Sequence, residues 1–292
     1  MRRLALLLLV AALAGIAAGC GGDEDETAGR DTQAVSCDKG DLNLVNEGQL
    51  TIGTDNPAFP PWFGGDEKKP WKVSDPRSGE GFESAVAYAV AEELGFSKDE
   101  VKWVVVPFNT AFAPGKKKFD FDINQISFKP ARAKAVDFSD SYYNVNQAIV
   151  VLNGTEIANA DSRAALKPYE LGAQLGTTSY DYIVKNIKPS KQPAVYDTND
   201  GAVQALKNKQ IDGLVVDLPT AFFVTAVQVE NSKILGQFPS PPGGEHFGMV
   251  FQKGNSLVRC VNEALSKLRA DGTLKDLQDQ WLSKVADAPV LK

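Results

Sequence analysis

Four short polar stretches each follow a predicted strand and carry residue types that bind small charged molecules. In chain order they are DNPAFPPWF from residue 55, NQISFKPAR from residue 124, GTTS from residue 176 and DLPT from residue 217. Arg132, in the second stretch, offers a planar fork of donors that suits a carboxylate. The third stretch puts Thr178 and Ser179 at a predicted helix start, where free backbone N–H groups attract an anion. These two features predict an anion-binding site.

The same stretches also offer a partner for a positive charge and an apolar surface. Asp217 directly follows an apolar run, and a carboxylate there would be an unusual buried charge unless a cation pairs with it. Phe59, Trp62 and Phe108 supply flat aromatic walls. A carboxylate clamp, a partner for an ammonium group and aromatic walls together predict a site for a free α-amino acid, whose zwitterion brings both charges.

Each of these residues also has a simpler interpretation. Arg132 could pair with Asp137 or Asp140 on the surface, and GTTS could be only a helix cap. Asp217 could cap the helix that Pro219 opens, and Trp62 could belong to the core. Only a shared cavity would favour the ligand-binding interpretation over these alternatives.

The order of predicted elements favours an α/β fold. Residues 49–54 alternate like a strand, residues 81–96 have helical spacing of apolar side chains, and residues 101–108 read as an apolar strand buried on both faces. Strands continue to alternate with helices, which predicts parallel pairing. Two sheets are expected because residues 138–151 and 236–251 resemble long crossing segments. In α/β sheets ligands bind at the carboxyl ends of strands, where the polar stretches lie.

The N-terminal region is typical of an exported protein. Residues 1–19 combine arginines with an apolar run shorter than a membrane span, which predicts a signal peptide. The sequence AAGC resembles the lipobox of bacterial lipoproteins, in which Cys20 is acylated, although Ala17 stands where that family usually has Leu. Simple cleavage near this point is the alternative. Residues 20–36 are acidic and poor in large apolar groups, so we expect a flexible tether.

Charge and cysteine content limit the partners. The formal net charge is −6 and the short KKK run at 116–118 is no basic tract, so nucleic acid is not an expected partner. Cys37 and Cys260 are predicted to form a disulfide in an oxidising exterior. A metal site that includes the lone His246 is the weaker alternative, and no cofactor is expected.

Six segments, in the right order, resemble a known family. They are LTIGTDNPAFPPW, GFESAVAYAVAEELGF, ISFKPARAKAVDFSDSYY, LGAQLGTTSYDYI, IDGLVVDLPTAFF and FGMVFQKGNSLVRCVNEALSKLRADGTLKDLQDQWL. Over residues 48–283 the chain resembles the extracellular solute-binding proteins of family 3, which bind polar amino acids for ABC transporters. The resemblance implies a two-lobed α/β fold of periplasmic-binding-protein type 2, with two mixed, mostly parallel sheets joined by a two-segment hinge. Lobe 1 is expected at residues 37–143 and 245–292, and lobe 2 at residues 144–244.

The resemblance also implies which residues contact the ligand. Arg132 and the backbone of Thr178 would hold its carboxylate, whereas Ser127 and Asp217 would hold its ammonium group. Phe59 and Phe108 would enclose its side chain, and Gln125 and Ser179 stand where family members often make further polar contacts. Trp62 is expected beside them from its residue type alone. Lys129 replaces the threonine that is commoner in the family, and NQIS replaces SGMT. The resemblance therefore does not imply which amino-acid side chain the ligand carries. Lys129 could favour an acidic ligand or could be an ordinary solvated lysine.

These features predict a substrate-binding component of an ABC importer, not an enzyme. We expect a monomer outside the cell membrane, anchored through Cys20, whose partners are a permease and a free amino acid, with polar or acidic ligands weakly preferred. The alternative is a dehydratase of small carboxylic acids on the same fold. His246 lacks an evident nucleophile, and Glu83 and Glu245 are interpreted as solvated. A sensor module is not expected, because no further domain follows Lys292.

Overall fold

The computed structural model describes residues 36–238, 240–241, 243–282 and 288–291. The predicted signal peptide, Cys20 and the predicted tether up to residue 35 therefore lie outside the described residues. Within the described ranges no helix combines the length and apolar character needed to cross a bilayer.

The first sheet has the strand order β2-β1-β3-β12-β4. Its strands are β1 (Leu50–Thr54), β2 (Val101–Val105), β3 (Phe121–Asp122), β4 (Val136–Phe138) and β12 (Val250–Gln252). Strand β1 pairs in parallel with β2 and β3, whereas β12 runs antiparallel to β3 and β4. The helices packed beside it are α1 (Phe82–Glu93), α6 (Leu257–Ala270) and α7 (Thr273–Leu282), and the short helix α2 (Phe108–Ala111) follows β2.

Strand β2 corrects one prediction from the sequence. Residues 101–108 were expected to be buried on both faces, but only the first five form the strand, and Val105 is 43% exposed. The reason is position, because β2 lies at the edge of the sheet and pairs only with β1. Strand β1, which is internal, is buried along its whole length.

The second sheet has the strand order β10-β6-β9-β7-β8. Its strands are β6 (Gln147–Leu152), β7 (Leu171–Gln174), β8 (Ala194–Tyr196), β9 (Gly213–Asp217) and β10 (Ser232–Phe238), and its helices are α3 (Thr178–Tyr182), α4 (Asn199–Lys207) and α5 (Leu218–Phe223). Successive side chains of a strand point to opposite faces. Accordingly Ala148 and Val150 join one core cluster, whereas Ile149 and Val151 join the other. This sheet is thus covered on both faces.

Two crossing segments join the sheets. Strands β5 (Tyr143–Asn144) and β11 (His246–Phe247) pair antiparallel as a separate two-stranded sheet. Trp62 packs edge-on against Tyr143 and Phe247, with ring centroids 5.7 and 5.6 Å apart. The two-lobed α/β fold with a two-segment hinge is therefore confirmed, and both of its large sheets are mixed.

The predicted disulfide is present. Cys37 and Cys260 are bonded across a sequence separation of 223 residues. Cys260 lies in helix α6 and is 1% exposed, and Cys37 packs against the same core cluster. Cross-linking such a long loop restricts the unfolded chain, which in the chain-entropy model stabilises the fold by up to about 5 kcal/mol.

The last described residues contact the second sheet. Val290 bridges Gln237 in parallel, and Leu291 is buried in a core cluster of that lobe. Gly236 makes room for it, because a Cβ there would lie 2.7 Å from Leu291 Cγ. Residues 245–292 were predicted to belong to lobe 1, but the side chain of Leu291 is buried in a core cluster of lobe 2.

Candidate functional site

The four polar stretches converge on one cavity. It has a volume of about 180 Å³ and lies at the carboxyl ends of β1, β7 and β9. Of the residues singled out from the sequence, the following line it: Phe59, Trp62, Phe108, Gln125, Ser127, Arg132, Thr178, Ser179 and Asp217. Residues from both lobes thus line one cavity.

Arg132 is the buried cation of this cavity. It is 6% exposed, and its guanidinium donates to the Ser127 carbonyl oxygen at 2.6 Å and to the Gly176 carbonyl oxygen at 2.8 Å. The guanidinium carbon lies 4.2 Å from the ring centroid of Phe112 and 5.6 Å from that of Phe108. Burial lowers the pKa of Arg132 to about 10, so the side chain remains charged at neutral pH.

The surface-pair interpretation of Arg132 is wrong. Its suggested partner Asp137 instead pairs with Lys253 at 2.6 Å.

Gly176, whose carbonyl oxygen accepts from Arg132, has a φ of +80°, and a Cβ there would lie 2.7 Å from Asn109 Oδ1. Glycine is therefore required where GTTS enters helix α3.

Helix α3 begins directly beside Arg132. Thr177 is its N-cap, and its hydroxyl accepts from the Tyr180 N–H. Thr178 Oγ1 lies 3.3 Å from Ser127 Oγ on the first lobe. GTTS is therefore both a helix cap and part of the cavity wall, so the two interpretations of this stretch are compatible.

Asp217 faces the cavity and does not cap the helix that follows it. Its side chain makes no capping hydrogen bond, and Oδ1 instead accepts from Gln147 Nε2 at 2.7 Å. Burial, together with the carboxylate of Glu245, raises the pKa of Asp217 well above its ordinary value. A cation beside Asp217 would offset this burial penalty.

Glu245 and Gln147 were missed from the sequence. Glu245 was interpreted as solvated, but its carboxylate accepts from Ser127 Oγ at 2.6 Å and from Gln147 Nε2 at 3.1 Å. Gln147 is 1% exposed, and its Oε1 accepts from Ser179 Oγ at 2.7 Å. The available signal was Gln147 itself, a polar residue at the start of the apolar run of β6.

Glu83 was also interpreted as solvated, and this is wrong. It is 0% exposed at the start of helix α1, and its carboxylate accepts from the Gln125 N–H at 2.6 Å, from Gln125 Nε2 and from the Tyr142 hydroxyl. Gln125 has a φ of +47°, which side chains rarely adopt. Glu83 therefore clamps the loop that carries Ser127, and the Gln125 amide that was expected to meet the ligand is turned toward Glu83.

Lys129 does not line the cavity. Its ammonium group lies 2.7 Å from the carboxylate of Asp181, in an ion pair between the loop after β3 and helix α3.

The aromatic walls of the cavity also include Phe223, which was not predicted from the sequence. Its ring centroid lies 5.9 Å from that of Phe59.

Two further carboxylates, Asp55 and Asp200, line the cavity. Burial raises the pKa of Asp55, although the N–H groups of Asn56 and Phe108 oppose the shift. Asp200 accepts from Gln228 Nε2 at 3.1 Å. Within the part of the chain that the structure describes, no group of three or more His, Cys, Asp or Glu side chains could hold a metal ion.

The fold and the cavity define a two-lobed receptor with a small charged cleft, and comparison with known proteins gives its family. Residues 50–284 match the bacterial extracellular solute-binding proteins of family 3, and the chain belongs to this family.

Two curated relatives are binding proteins. The L-cystine-binding protein TcyJ of Escherichia coli (strain K12) is 30% identical over 251 residues, which cover 84% of this chain and 86% of the relative. The ABC transporter glutamine-binding protein GlnH of Bacillus subtilis (strain 168) is 26% identical over 217 residues, which cover 73% and 77% respectively.

Solved structures have the same fold. An ancestral arginine-binding protein bound to glutamine matches with a TM-score of 0.66 and 31% identity, over 81% of this chain and 99% of that one. The ancestral amino acid-binding protein AncCDT-1, a precursor of cyclohexadienyl dehydratase, matches with a TM-score of 0.62 and 28% identity, over 80% and 95%.

Replacing Glu83 by glutamine should change how stability depends on pH. Burial raises the pKa of Glu83 from 4.5 to about 7, so only the unfolded chain ionises this group readily in that interval. Its contribution is fully present below pH 4.5 and is lost as pH rises to about 7. The stability of wild type minus that of Glu83→Gln should therefore fall with pH, by at most about 1.4 kcal/mol per pH unit.

Urea unfolding across this interval measures that difference. Asp122, which is 0% exposed, and Asp217 remain in both proteins, so the part of their raised pKa that burial causes cancels in the difference. The repulsion that ionised Glu83 exerts on these two carboxylates is part of what the difference measures. The exposed Glu47→Gln is the matched control and should leave the pH profile unchanged. A stability difference between wild type and Glu83→Gln that is independent of pH would contradict the assignment.

Proposed function

We propose that this protein is the extracytoplasmic substrate-binding component of an ABC importer and that it binds one free amino acid in the cleft. The observation that carries the proposal is that Arg132 and Asp217, from opposite lobes, face one small cavity with aromatic walls. Its volume of about 180 Å³ is below the roughly 300–1,000 Å³ of pockets for drug-sized ligands. The names of the relatives support an amino acid as the ligand.

The two charges of an α-amino acid match the two ends of the site. Its carboxylate would take the donors of Arg132 and the backbone N–H of Thr178, at the start of helix α3. Its ammonium group would contact Asp217 and Ser127. Each charge would be costly to bury alone, so the site favours ligands that bring both.

The remaining charges favour a ligand with a basic or polar side chain. Among the described residues of the cavity, Asp55, Asp200 and Asp217 are acidic and Arg132 is the one cation. The ligand carboxylate balances Arg132 and the ammonium group balances Asp217, which leaves Asp55 and Asp200 without a counter-charge. A guanidinium or ammonium side chain between the aromatic walls would supply it.

The weak preference for an acidic ligand rested on Lys129. In the structure that charge is taken up by Asp181. We therefore keep the polar part of the expectation and propose a cationic ligand in place of an acidic one.

Ligand binding would favour the closed arrangement of the lobes. Polar contacts already cross the cleft, among them Arg132 to the Gly176 carbonyl, Lys129 to Asp181, and Trp62 Nε1 to Thr220 Oγ1 at 3.0 Å. A ligand held by both lobes stabilises the arrangement in which they meet, and the permease would recognise that arrangement.

A thermal-shift screen of the twenty natural amino acids tests the function and its ligand class. Arginine or lysine should raise the melting temperature most, because a ligand that binds only the folded state stabilises it. Asp55→Asn should reduce that shift, whereas Asp66→Asn, at an exposed position, should not. If no amino acid raises the melting temperature, the proposed function is wrong.

The enzyme alternative concerns the same cavity. AncCDT-1 is described as the precursor of a dehydratase, so turnover on this fold has a precedent. We propose binding without turnover, and mass spectrometry of the ligand recovered from the screen should return it chemically unchanged.

Replacing Arg132 by alanine should weaken amino-acid binding by about 2–5 kcal/mol, because the ligand carboxylate would be buried without its main partner. Isothermal titration calorimetry measures the change. Arg259→Ala, at an arginine whose side chain is 48% exposed and pairs with Glu263, is the matched control. Equal affinities for wild type and Arg132→Ala would remove Arg132 from the site.

A lipid on Cys20 would hold the receptor, as a monomer, near its permease at high effective concentration. Intact-mass measurement of protein from bacterial membranes should show an acylated N-terminal cysteine, and Cys20→Ala should move the protein to the soluble fraction. An unmodified N-terminus would favour simple cleavage.

A further inference from the structure

The carboxylate of Glu245 connects the two lobes at the hinge. The residue directly precedes strand β11 in the second crossing segment. Its Oε1 accepts from Ser127 Oγ of the first lobe at 2.6 Å, and both of its oxygens accept from Gln147 Nε2 of the second lobe, at 3.2 and 3.1 Å. Glu245 does not line the cavity itself, so any effect on a ligand must pass through these neighbours.

Glu245 accepts the hydrogen of the Ser127 hydroxyl and so leaves its lone pairs to face other donors. A serine hydroxyl has one hydrogen to donate and two lone pairs that accept, whereas an ammonium group only donates. The one hydrogen of Ser127 is given to Glu245, so the nearby Thr178 Oγ1, at 3.3 Å, donates to Ser127. One lone pair of Ser127 Oγ remains, and it can accept from a ligand ammonium group.

Glu245 also orients Asp217 through Gln147. The Gln147 amide has two hydrogens, one for Asp217 Oδ1 at 2.7 Å and one for the Glu245 carboxylate. Its oxygen accepts from Ser179 Oγ at 2.7 Å, which fixes the orientation of the amide. Gln147 is 1% exposed, so water does not compete effectively for these bonds.

We propose that Glu245 is a positioning residue for the ligand's ammonium group, which it serves by presenting a Ser127 lone pair and by holding Gln147 against Asp217. This inference rests on the proposed function, because it needs an amino acid in the cleft. The charge of Glu245 acts in the same direction, since a second carboxylate beside Asp217 favours a cation there. Burial, and next the carboxylate of Glu245, raise the pKa of Asp217, so a cation on the cavity side of Asp217 would offset both effects.

The test compares two ligands that differ only at the α-carbon. L-arginine carries the ammonium group, and 5-guanidinopentanoate is the same molecule without it. Glu245→Gln keeps the shape of the side chain, but it removes the charge and replaces one accepting oxygen by an NH2 group that only donates. Either the bond from Ser127 Oγ or the 3.1 Å bond from Gln147 Nε2 is therefore lost. Calorimetry should show that Glu245→Gln weakens L-arginine binding by about 10- to 100-fold. Binding of 5-guanidinopentanoate should stay within about twofold of wild type, because no ammonium group is present to lose its partners.

The ligand comparison separates positioning from general damage to the hinge. A purely structural role would weaken both ligands equally, and that result would overturn the inference, as would unchanged affinity for both. Glu47→Gln, at an exposed glutamate, should bind both ligands like wild type. Glu245→Asp is the second variant, for use if Glu245→Gln folds poorly. It keeps the charge but is too short to reach Ser127 in the same way, so it should also weaken L-arginine binding and spare 5-guanidinopentanoate.

Failure of the inference is distinguishable from failure of the proposed function. If wild type binds L-arginine and the variants lose both ligands alike, only the role of Glu245 is wrong. If wild type binds L-glutamine in place of L-arginine, the same comparison is made with L-glutamine and its des-amino analogue 4-carbamoylbutanoate. If wild type binds none of the twenty natural amino acids, the proposed function fails and the inference fails with it.

Discussion

The buried guanidinium of Arg132 is the interaction on which the cleft depends. A buried charge costs several kcal/mol unless it is paired and hydrogen-bonded. Here two carbonyl oxygens, one from each lobe, accept from Arg132, and among the described residues no carboxylate lies within ion-pair distance. The loop at Ser127 and the left-handed turn at Gly176 supply those carbonyls. The arrangement leaves guanidinium donors for an anion that must come from outside, and a ligand carboxylate fits that need.

The opposite side of the cavity carries an excess of negative charge. Asp55, Asp200 and Asp217 bring negative charge into a small volume, and Glu245 adds another just behind it. Burial, and next the nearby carboxylate of Glu245, raise the pKa of Asp217 and disfavour its ionisation. One ligand that carries an anionic end and cationic groups relieves both sides at once. This complementarity links binding to closure, since the groups that need the ligand belong to different lobes.

Much of the fold and the site followed from local patterns. The alternation of residues 49–54, the apolar run before Asp217, the helical spacing in α1 and the polar residues at strand ends are properties of short segments, and the structure agrees with them. The edge position of β2 was not predictable, because the apolar run of a strand does not reveal how many neighbours it has. Strand β10 was also missed, since its last three residues belong to the Pro- and Gly-rich stretch that was interpreted as a crossing segment.

The site residues divide in the same way. Arg132, Asp217 and Phe59 were predicted from their residue types and their positions after strands, and they line the cavity. Lys129 has a similar position in the sequence, but it pairs with Asp181 outside the cavity lining. Glu83 and Glu245 look like ordinary solvated acids in the chain, because nothing near them in sequence shows that Gln125 and Ser127 will donate to them.

The sequence by itself determined which elements form, where polar groups end the strands and which two cysteines could pair. Only the tertiary structure decided which charges meet across the cleft, which acids are buried and which side of the Ser127 hydroxyl is free. The physical reason is range. Secondary structure and its end residues depend on neighbours a few positions away, whereas hydrogen-bond partners and desolvation depend on groups far apart in the chain that only the packed fold brings within reach. Glu245, for example, meets Ser127 and Gln147 across 118 and 98 residues.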